Sequence, residues 1–396
     1  MRGAAKVGWA AVLGGAVTIA ACGSDPETKP PPEETCTPRA MPDERFVAAL
    51  DPASPRVALA KAIADGYIRR HPSLEQTWDW GDGVAMFGMV DLYRLTGEPQ
   101  LRDYYQAFID RFVDNGYDFL IVASDRCPPA LSALALYEET CEEPYRQVVT
   151  DTLTYLYDEA LRTEDGGINH LGTQDIFGVS LWLDSLFMFG NVLIRWGELS
   201  GEARHLDEYH DQFSIFAGHL QDDSGWFTHA YDWPVSAQDP DVFWARGNAW
   251  VTAATYDYLR VRKARGESDP EVEAAVAAQV QAILDAQDPA TGLWWTVVNR
   301  PGETYLETSA SALFAVGLAR GLREGFLGEE VRPAIEAAMA GIEAMVVDQG
   351  DGPVVTGISG PTTVGDFDHY ASIEVVDDLH YGVGAVLLAL VETSDL

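Results

Sequence analysis

The sequence predicts an all-α chain folded as an (α/α)6 barrel, a ring of six inner helices inside a ring of six outer ones. Three observations predict it. A helical hairpin recurs about six times, each copy opening with small residues before an apolar stripe and a turn. The clearest copies run over 82–105 (DGVAMFGMVDLYRLTGEPQLRDYY), 129–149 (PALSALALYEETCEEPYRQVV) and 184–209 (DSLFMFGNVLIRWGELSGEARHLDEY), and weaker ones begin near Arg246, Thr308 and His380. Small-residue-rich apolar helices alternate with more charged ones, as inner and outer rings require. Strand signals are confined to short runs such as 292–298 (GLWWTVV) and 352–357, which predict loop hairpins.

The N-terminus is read separately from the barrel. Arg2 and Lys6 precede an apolar run from about Val7 to Ala21, too short for a bilayer and suited to a signal-peptide core. The run ends Ile19-Ala20-Ala21-Cys22, which resembles a bacterial lipobox. Residues 1–21 are therefore expected as a lipoprotein signal peptide and Cys22 as the lipidated residue, placing the chain on a membrane of the cell envelope. A plain signal peptide with an incidental cysteine is the alternative. The following stretch (GSDPETKPPPEETCTPRAMP) is dominated by Pro, Glu and Thr and buries too little apolar surface to fold. Residues 22–50 are accordingly expected as a flexible tether, and 51–396 as the barrel.

Within the barrel, apolar spacing at i, i+3, i+4 and i+7 predicts helices near 56–70, 82–96, 99–113, 129–139, 144–162 and 178–198. Six more follow near 202–219, 246–264, 270–287, 308–323, 330–346 and 380–394. Inner helices need small residues because neighbours crowd them on every side, as at Gly83, Ala85 and Gly88, or Gly382, Gly384 and Ala385. An open solenoid is the main rival, but six hairpins suffice to close a toroid. The longer loops, at 123–128, 162–178, 221–243, 287–306 and 347–379, fall before inner helices and hold most of the non-helical Trp, His and Gly. Long loops in a compact domain carry function, so the site is expected at the mouth where inner helices begin.

Charge narrows the partners. With 26 basic and 62 acidic residues the net charge is −36, which argues against nucleic acid and against an anionic membrane face; membrane contact is expected only through the lipid. An anionic ligand would need cations gathered locally in its pocket. Cys36 falls in the tether, and Cys127 and Cys141 flank a predicted helix whose ~18 Å length at ~1.5 Å per residue exceeds the ~7 Å reach of a disulfide. Those two are not expected to pair. No spacing matches a zinc pattern, so neither metal nor cofactor is called for.

Asp184 opens an inner helix in LWLDSLFMFGNV, among Trp182, Leu183, Leu186, Phe187 and Met188. A carboxylate amid large apolar groups is desolvated, which raises its pKa and fits it to donate a proton. Helix capping explains an Asp there equally well. Asp125, in ASDRCPPA, stands before another inner helix, and two acids at two mouths could face one cavity, as sugar chemistry commonly uses. Asp79 and Asp82, with Trp78 and Trp80, mark a third such mouth. In FWARGNAW, Arg246 and Asn248 beside Trp244 and Trp250 offer a carboxylate clamp next to aromatic faces.

These blocks carry a specific resemblance. WFTHAYD with FWARGNAW, LDSLFMFG, ETSASALFAVGLARGL and GISGPTTVGDFDHY with YGVGAVLLALVE resemble, in that relative order, glycoside hydrolase family 105, the unsaturated rhamnogalacturonyl hydrolases, related to the family 88 unsaturated glucuronyl hydrolases. The resemblance covers about residue 55 to the end and implies the same (α/α)6 barrel. It implies that Asp184 is the catalytic acid/base, in a D-[ST]-L-[FY]-M segment. It puts Trp244, Arg246 and Asn248 on the W-x-R-G-N uronate subsite, His229 on an H-x-x-D position, and His170 near the same pocket. Trp80, from its place at the third mouth rather than from the resemblance, is also expected to bind substrate. Asp125 departs from the family pattern L-D-x-x-x-P-G, which puts its substrate contact in doubt. The implied reaction hydrates the C4=C5 bond that a polysaccharide lyase leaves on a terminal uronate. The alternatives are another (α/α)6 carbohydrate-active enzyme working on intact sugars, and a non-catalytic glycan-binding lipoprotein.

Overall fold

The computed structural model describes residues 36–396, so the signal peptide and the lipidated Cys22 lie outside the described residues. Six inner helices form the ring: α3 (Trp80–Thr96), α5 (Pro129–Thr140), α7 with α8 (Ser185–Met188, Gly190–Ser200), α10 (Ala245–Ala264), α12 (Thr308–Arg323) and α15 (His380–Glu392). Around them lie α4 (Pro99–Asn115), α6 (Glu143–Thr154), α9 (Ala203–Leu220), α11 (Pro270–Ala286), α13 (Arg332–Ala344) and α2 (Pro55–Arg70). The all-α barrel is as expected, with one difference in its closure. Five hairpins are consecutive in sequence, whereas the sixth pairs α2 with α15 from opposite ends of the barrel segment. Four short two-stranded ribbons decorate the loops, one joining Trp294–Trp295 to Leu306–Glu307 and another joining Val346–Asp348 to Pro353–Val355.

Composition dictates which helices sit inside. Nearly every residue of α3, α10, α12 and α15 is buried, while α4 and α11 bury only one face. Close inner contact depends on glycine at one crossing above all. A Cβ on Gly384 would lie 2.2 Å from the Val84 carbonyl oxygen, and one on Gly88 would lie 2.6 Å from the Gly384 oxygen. There α3 and α15 meet backbone to backbone. Between hairpin helices Gly97, in the left-handed conformation (φ 69°), ends α3, and Pro99 starts α4.

Two expected elements are corrected. The helix expected over 178–198 is broken: Leu181–Trp182 is a strand paired antiparallel to Ala230–Tyr231, and helix begins only at Ser185. Leu181, Trp182 and Leu183 are all buried, so no polar alternation betrayed the extended stretch. The helix expected over 144–162 ends at Thr154 in a π turn, Tyr155–Glu159.

The expected tether over 22–50 is also corrected at its C-terminal part. Residues 37–50 pack on the barrel, with α1 (Glu44–Ala49) started by Asp43, whose side chain accepts from the Arg45 N–H. The Arg39 N–H donates to the Glu138 carbonyl at 2.9 Å and the Asp43 N–H to the Arg94 carbonyl at 2.7 Å. Ion pairs of Arg39 and Arg45 with Asp43 and Glu138, together with Met41, Phe46 and Leu50 packed on the core, hold this segment. Cys127 is a buried free thiol, and Cys141 is disulfide-bonded, as is Cys36, so Cys127 and Cys141 do not pair, as expected.

The end of the barrel where inner helices finish is filled by ions. Arg195 of α8 pairs with Asp257 of α10 at 2.7 Å and with Asp91 of α3 at 3.4 Å. Arg320 of α12 joins Glu392 of α15 at 2.6 Å, and Arg94 of α3 joins Glu138 of α5 at 2.7 Å. All six inner helices contribute, and all these side chains are buried. Cations near helix C-termini also meet the negative end of the helix dipole.

Candidate active site

At the opposite end, where inner helices begin, a cavity of about 150 Å³ is lined by Trp80, Asp125, His170, Trp182, Asp184, Met188, Trp244, Arg246 and Pro361–Thr363. It is the site expected from the loop lengths. Trp80 opens α3, Asp125 lies in a single 3-10 turn before α5, Asp184 immediately precedes α7, and Trp244 and Arg246 open α10. Five of the seven other expected catalytic or substrate-binding residues thus converge with Asp184: Trp80, Asp125, His170, Trp244 and Arg246.

Asp184 does not cap its helix. Its side chain makes no capping hydrogen bond, and its Oδ2 lies 3.3 Å from His229 Nε2. Burial pushes its pKa up, but the hydrogen bond and charge of His229, with the charge of His170, outweigh that and hold it below the ordinary carboxylate range. The expectation of a raised pKa is therefore corrected: the apolar neighbours are there, but two imidazoles are closer to the charge. Asp125 goes the other way. Burial, assisted by the negative charges of Asp184 and Asp79 and opposed by His170, pushes it up to about 6. One cavity thus holds two carboxyls whose affinities for a proton are driven apart.

Each carboxyl has its own histidine. His170 Nε2 lies 3.7 Å from Asp125 Oδ2, its Nδ1 is 3.0 Å from Ser185 Oγ, and its ring stacks on Trp182 at 4.4 Å and 1°. His229 is buried behind Asp184 and faces the carboxylate rather than the cavity, a correction to its expected substrate contact. Its Nδ1 is 2.9 Å from the Tyr370 hydroxyl, which itself accepts the Gly365 N–H at 3.3 Å. Burial raises the Tyr370 pKa far above its ordinary value, so the hydroxyl keeps its proton. With Nδ1 turned to Tyr370, His229 turns Nε2 toward Asp184.

Arg246 is buried and spent on one loop: its NH1 donates to the Ser359 carbonyl at 2.8 Å, and its NH2 to the Gly360 carbonyl at 2.9 Å and Thr362 Oγ1 at 3.1 Å. Glu307 lies 4.0 Å away and also accepts the Ser359 N–H at 2.9 Å. The guanidinium lies over the Trp244 ring at 4.9 Å, and His229 stacks on Trp244 at 4.4 Å. With protein groups against its ring, Trp244 is a poor stacking platform; Trp80, half-buried and resting on Tyr381 at 4.3 Å, is the better placed aromatic.

Asn248 is the clearest departure from expectation. It is fully buried away from the cavity; its Oδ1 accepts the Phe227 N–H and its Nδ2 donates to the Phe227 and Trp244 carbonyls. It pins the loop that delivers His229. Sequence reasoning missed Tyr370 and Thr362 as site residues. Both lie inside the GISGPTTVGDFDHY block, where no local pattern tells a wall residue from a loop residue.

Comparison with known proteins agrees with this geometry. Residues 59–396 match the model of glycosyl hydrolase family 88. The unsaturated rhamnogalacturonyl hydrolase YesR of Bacillus subtilis is 24% identical over 337 residues, covering 84% of this chain and 94% of that protein. A family 105 glycoside hydrolase of C. acetobutylicum superposes with a TM-score of 0.76 at 25% identity, covering 85% of this chain and 99% of its own. An unsaturated glucuronyl hydrolase of Bacillus sp. GL1 superposes at 0.66 with 18% identity, over 85% of this chain and 95% of its own. With the barrel, the paired carboxyls and a family match over most of its length, the chain belongs to glycosyl hydrolase family 88, related to family 105, and is a glycoside hydrolase.

Proposed function

We propose that the enzyme removes a terminal 4,5-unsaturated uronate from lyase-generated oligosaccharides of the pectin or glycosaminoglycan kind by hydrating the C4=C5 bond. The observation that carries this reading is the pair Asp184 and Asp125, split in opposite directions within a one-ring cavity beside a buried guanidinium. Hydration needs a proton given to C4 and a proton taken from water, and a carboxyl that alternates between its two forms does both. Asp184 is assigned that role. In the empty site it is an anion; an incoming uronate brings a second negative charge and excludes water, both of which raise its pKa. It then protonates C4, and as a carboxylate it deprotonates the water that bonds to C5. The C5 hemiketal opens its ring to a ketone, and the hemiacetal left at C1 releases the remaining sugar as an alcohol. The fixed charge of Arg246 draws the C6 carboxylate into a chain of net charge −36, and Trp80 flanks the ring.

A second assignment follows from the proton's resting place. Asp125, up to about 6, holds a proton near neutral pH more readily than Asp184, so Asp125 would donate and Asp184 act only as base. The test of the function is loss of the near-UV absorbance of the conjugated bond in lyase-made disaccharides. Asp184→Asn is expected to reduce turnover by roughly 10²–10⁴-fold with helix content intact; retained turnover would sink the assignment. Asp125→Asn is expected to keep measurable turnover, and a loss as deep as that of Asp184→Asn with substrate binding intact would transfer the acid role to Asp125. Absorbance that persists while reducing ends rise would point to intact sugars as substrates. The sequence at Cys22 further supports an exported lipoprotein, tested by fatty-acid labelling that Cys22→Ser abolishes.

A further inference from the structure

The cavity takes one sugar ring, so the part of the oligosaccharide that is released must lie across the rim. Two rim loops, 174–178 and 231–238, carry an unusual surface. Nine large hydrophobic residues are exposed among the described residues, and four of them, Ile176, Phe177, Tyr231 and Val235, fall on these loops. Exposed apolar side chains gathered in this way mark a contact surface. The cluster continues the wall of the cavity itself. Trp182 of that wall meets the edge of Trp233 at 4.9 Å and 85°, and Trp233 meets Phe177 at 5.5 Å and 70°. Trp233 is held in place: its Nε1 donates to Ser236 Oγ at 3.1 Å, and Ser236 donates to the Val364 carbonyl at 2.6 Å, beside wall residues Pro361–Thr363.

Acids dominate the same rim, where His219, stacked on Tyr231, is paired with Asp165 at 2.7 Å. The sequence has neither Lys nor Arg between Arg162 and Arg195, between Arg204 and Arg246, or after Arg332. The two rim loops carry Asp175 and Asp232 instead, and the segments after them Asp239, Asp241, Asp366 and Asp368. Asp175 and Asp232 are exposed and adjoin Ile176 and Trp233. Arg162, the nearest cation in sequence, is committed to Glu208 at 2.8 Å and to the Gly166 and Leu156 carbonyls.

Resting on the hydration reading, we propose that Phe177 and Trp233 form the subsite for the released sugar, and that this subsite selects a neutral pyranose laid by its C–H face on the aromatics and rejects one bearing sulfate. Aromatic side chains favour the apolar face of a ring. A sulfate here would instead meet Asp175 and Asp232, unpaired among the described residues, because the neighbouring Arg162 and His219 are paired with Glu208 and Asp165. Repulsion between exposed charges is screened by salt, which separates it from steric exclusion.

The test compares three substrates by absorbance loss: the methyl glycoside of the unsaturated uronate, an unsaturated disaccharide with a neutral second sugar, and the same disaccharide sulfated on that sugar. Expected is a kcat/KM for the neutral disaccharide at least about tenfold above the sulfated one, the gap narrowing with added salt and in Asp175→Asn with Asp232→Asn. Phe177→Ala and Trp233→Ala are each expected to lower kcat/KM for the neutral disaccharide about tenfold more than for the methyl glycoside. Equal rates on both disaccharides, a gap indifferent to salt and to the Asn variants, or losses equal on disaccharide and methyl glycoside would overturn the subsite. Wild-type protein inert on all three substrates would overturn the hydration reading beneath it, a distinct result.

Discussion

Tyr370 shows how a residue outside the cavity governs one inside it. Its hydroxyl, fed by the Gly365 N–H, holds the His229 ring by Nδ1 and so keeps Nε2 against Asp184. Tyr370→Phe removes that constraint, the imidazole no longer stabilises the carboxylate, and the Asp184 pKa rises. The expected outcome is an alkaline limb of the pH–rate profile moved to higher pH with KM little changed; a wild-type profile would reduce Tyr370 to packing. Asp184 itself was legible in the sequence because an acid between Leu183 and Leu186 is conspicuous. Its protonation state was not, because His229 and His170 approach it from other loops. Asn248 misled for the converse reason: beside Arg246 in sequence, it turns a helical step away and binds backbone.

Among elements, the helices with a one-sided apolar stripe were readable to within a few residues, and the all-buried inner ones were readable through their small residues. What stayed hidden was conformation where both faces are covered, as in Leu181–Leu183, and docking aided by ion pairs, as in α1 with Arg39, Asp43 and Arg45. The α3–α15 crossing gives the corresponding test. Gly384→Ala puts a methyl against the Val84 carbonyl with no side chain able to yield. It is expected to cost about 1–3 kcal/mol, read as a lower urea midpoint with unchanged slope. An unchanged midpoint would mean that the two helices separate freely.

Over the whole molecule, the ionic layer couples stability to pH. Glu392 is buried and Glu198 half-buried, yet their arginine partners hold each carboxyl at about 2, and Arg195, Arg260 and Arg320 hold Asp257 lower still. A folded-state pKa below the unfolded one contributes stability that is complete above the unfolded value of about 4.5 and is lost as pH falls through the folded value. The urea midpoint is therefore expected to be flat above about pH 5 and to drop steeply toward pH 2; a flat curve through that window would refute the linkage. Arg195→Met removes the cation shared by Asp91 and Asp257 and leaves them to Arg94 and Arg260; it is expected to cost about 1–3 kcal/mol, measured by the same denaturation.

That layer also settles how sugar moves through the molecule. Because ions drawn from all six inner helices stopper one end, the barrel is a blind cup with a single doorway. On the hydration reading no polymer threads it: each cycle takes one chain tip, and both fragments leave by the way the tip came in. Product departure and the arrival of the next tip then share one mouth.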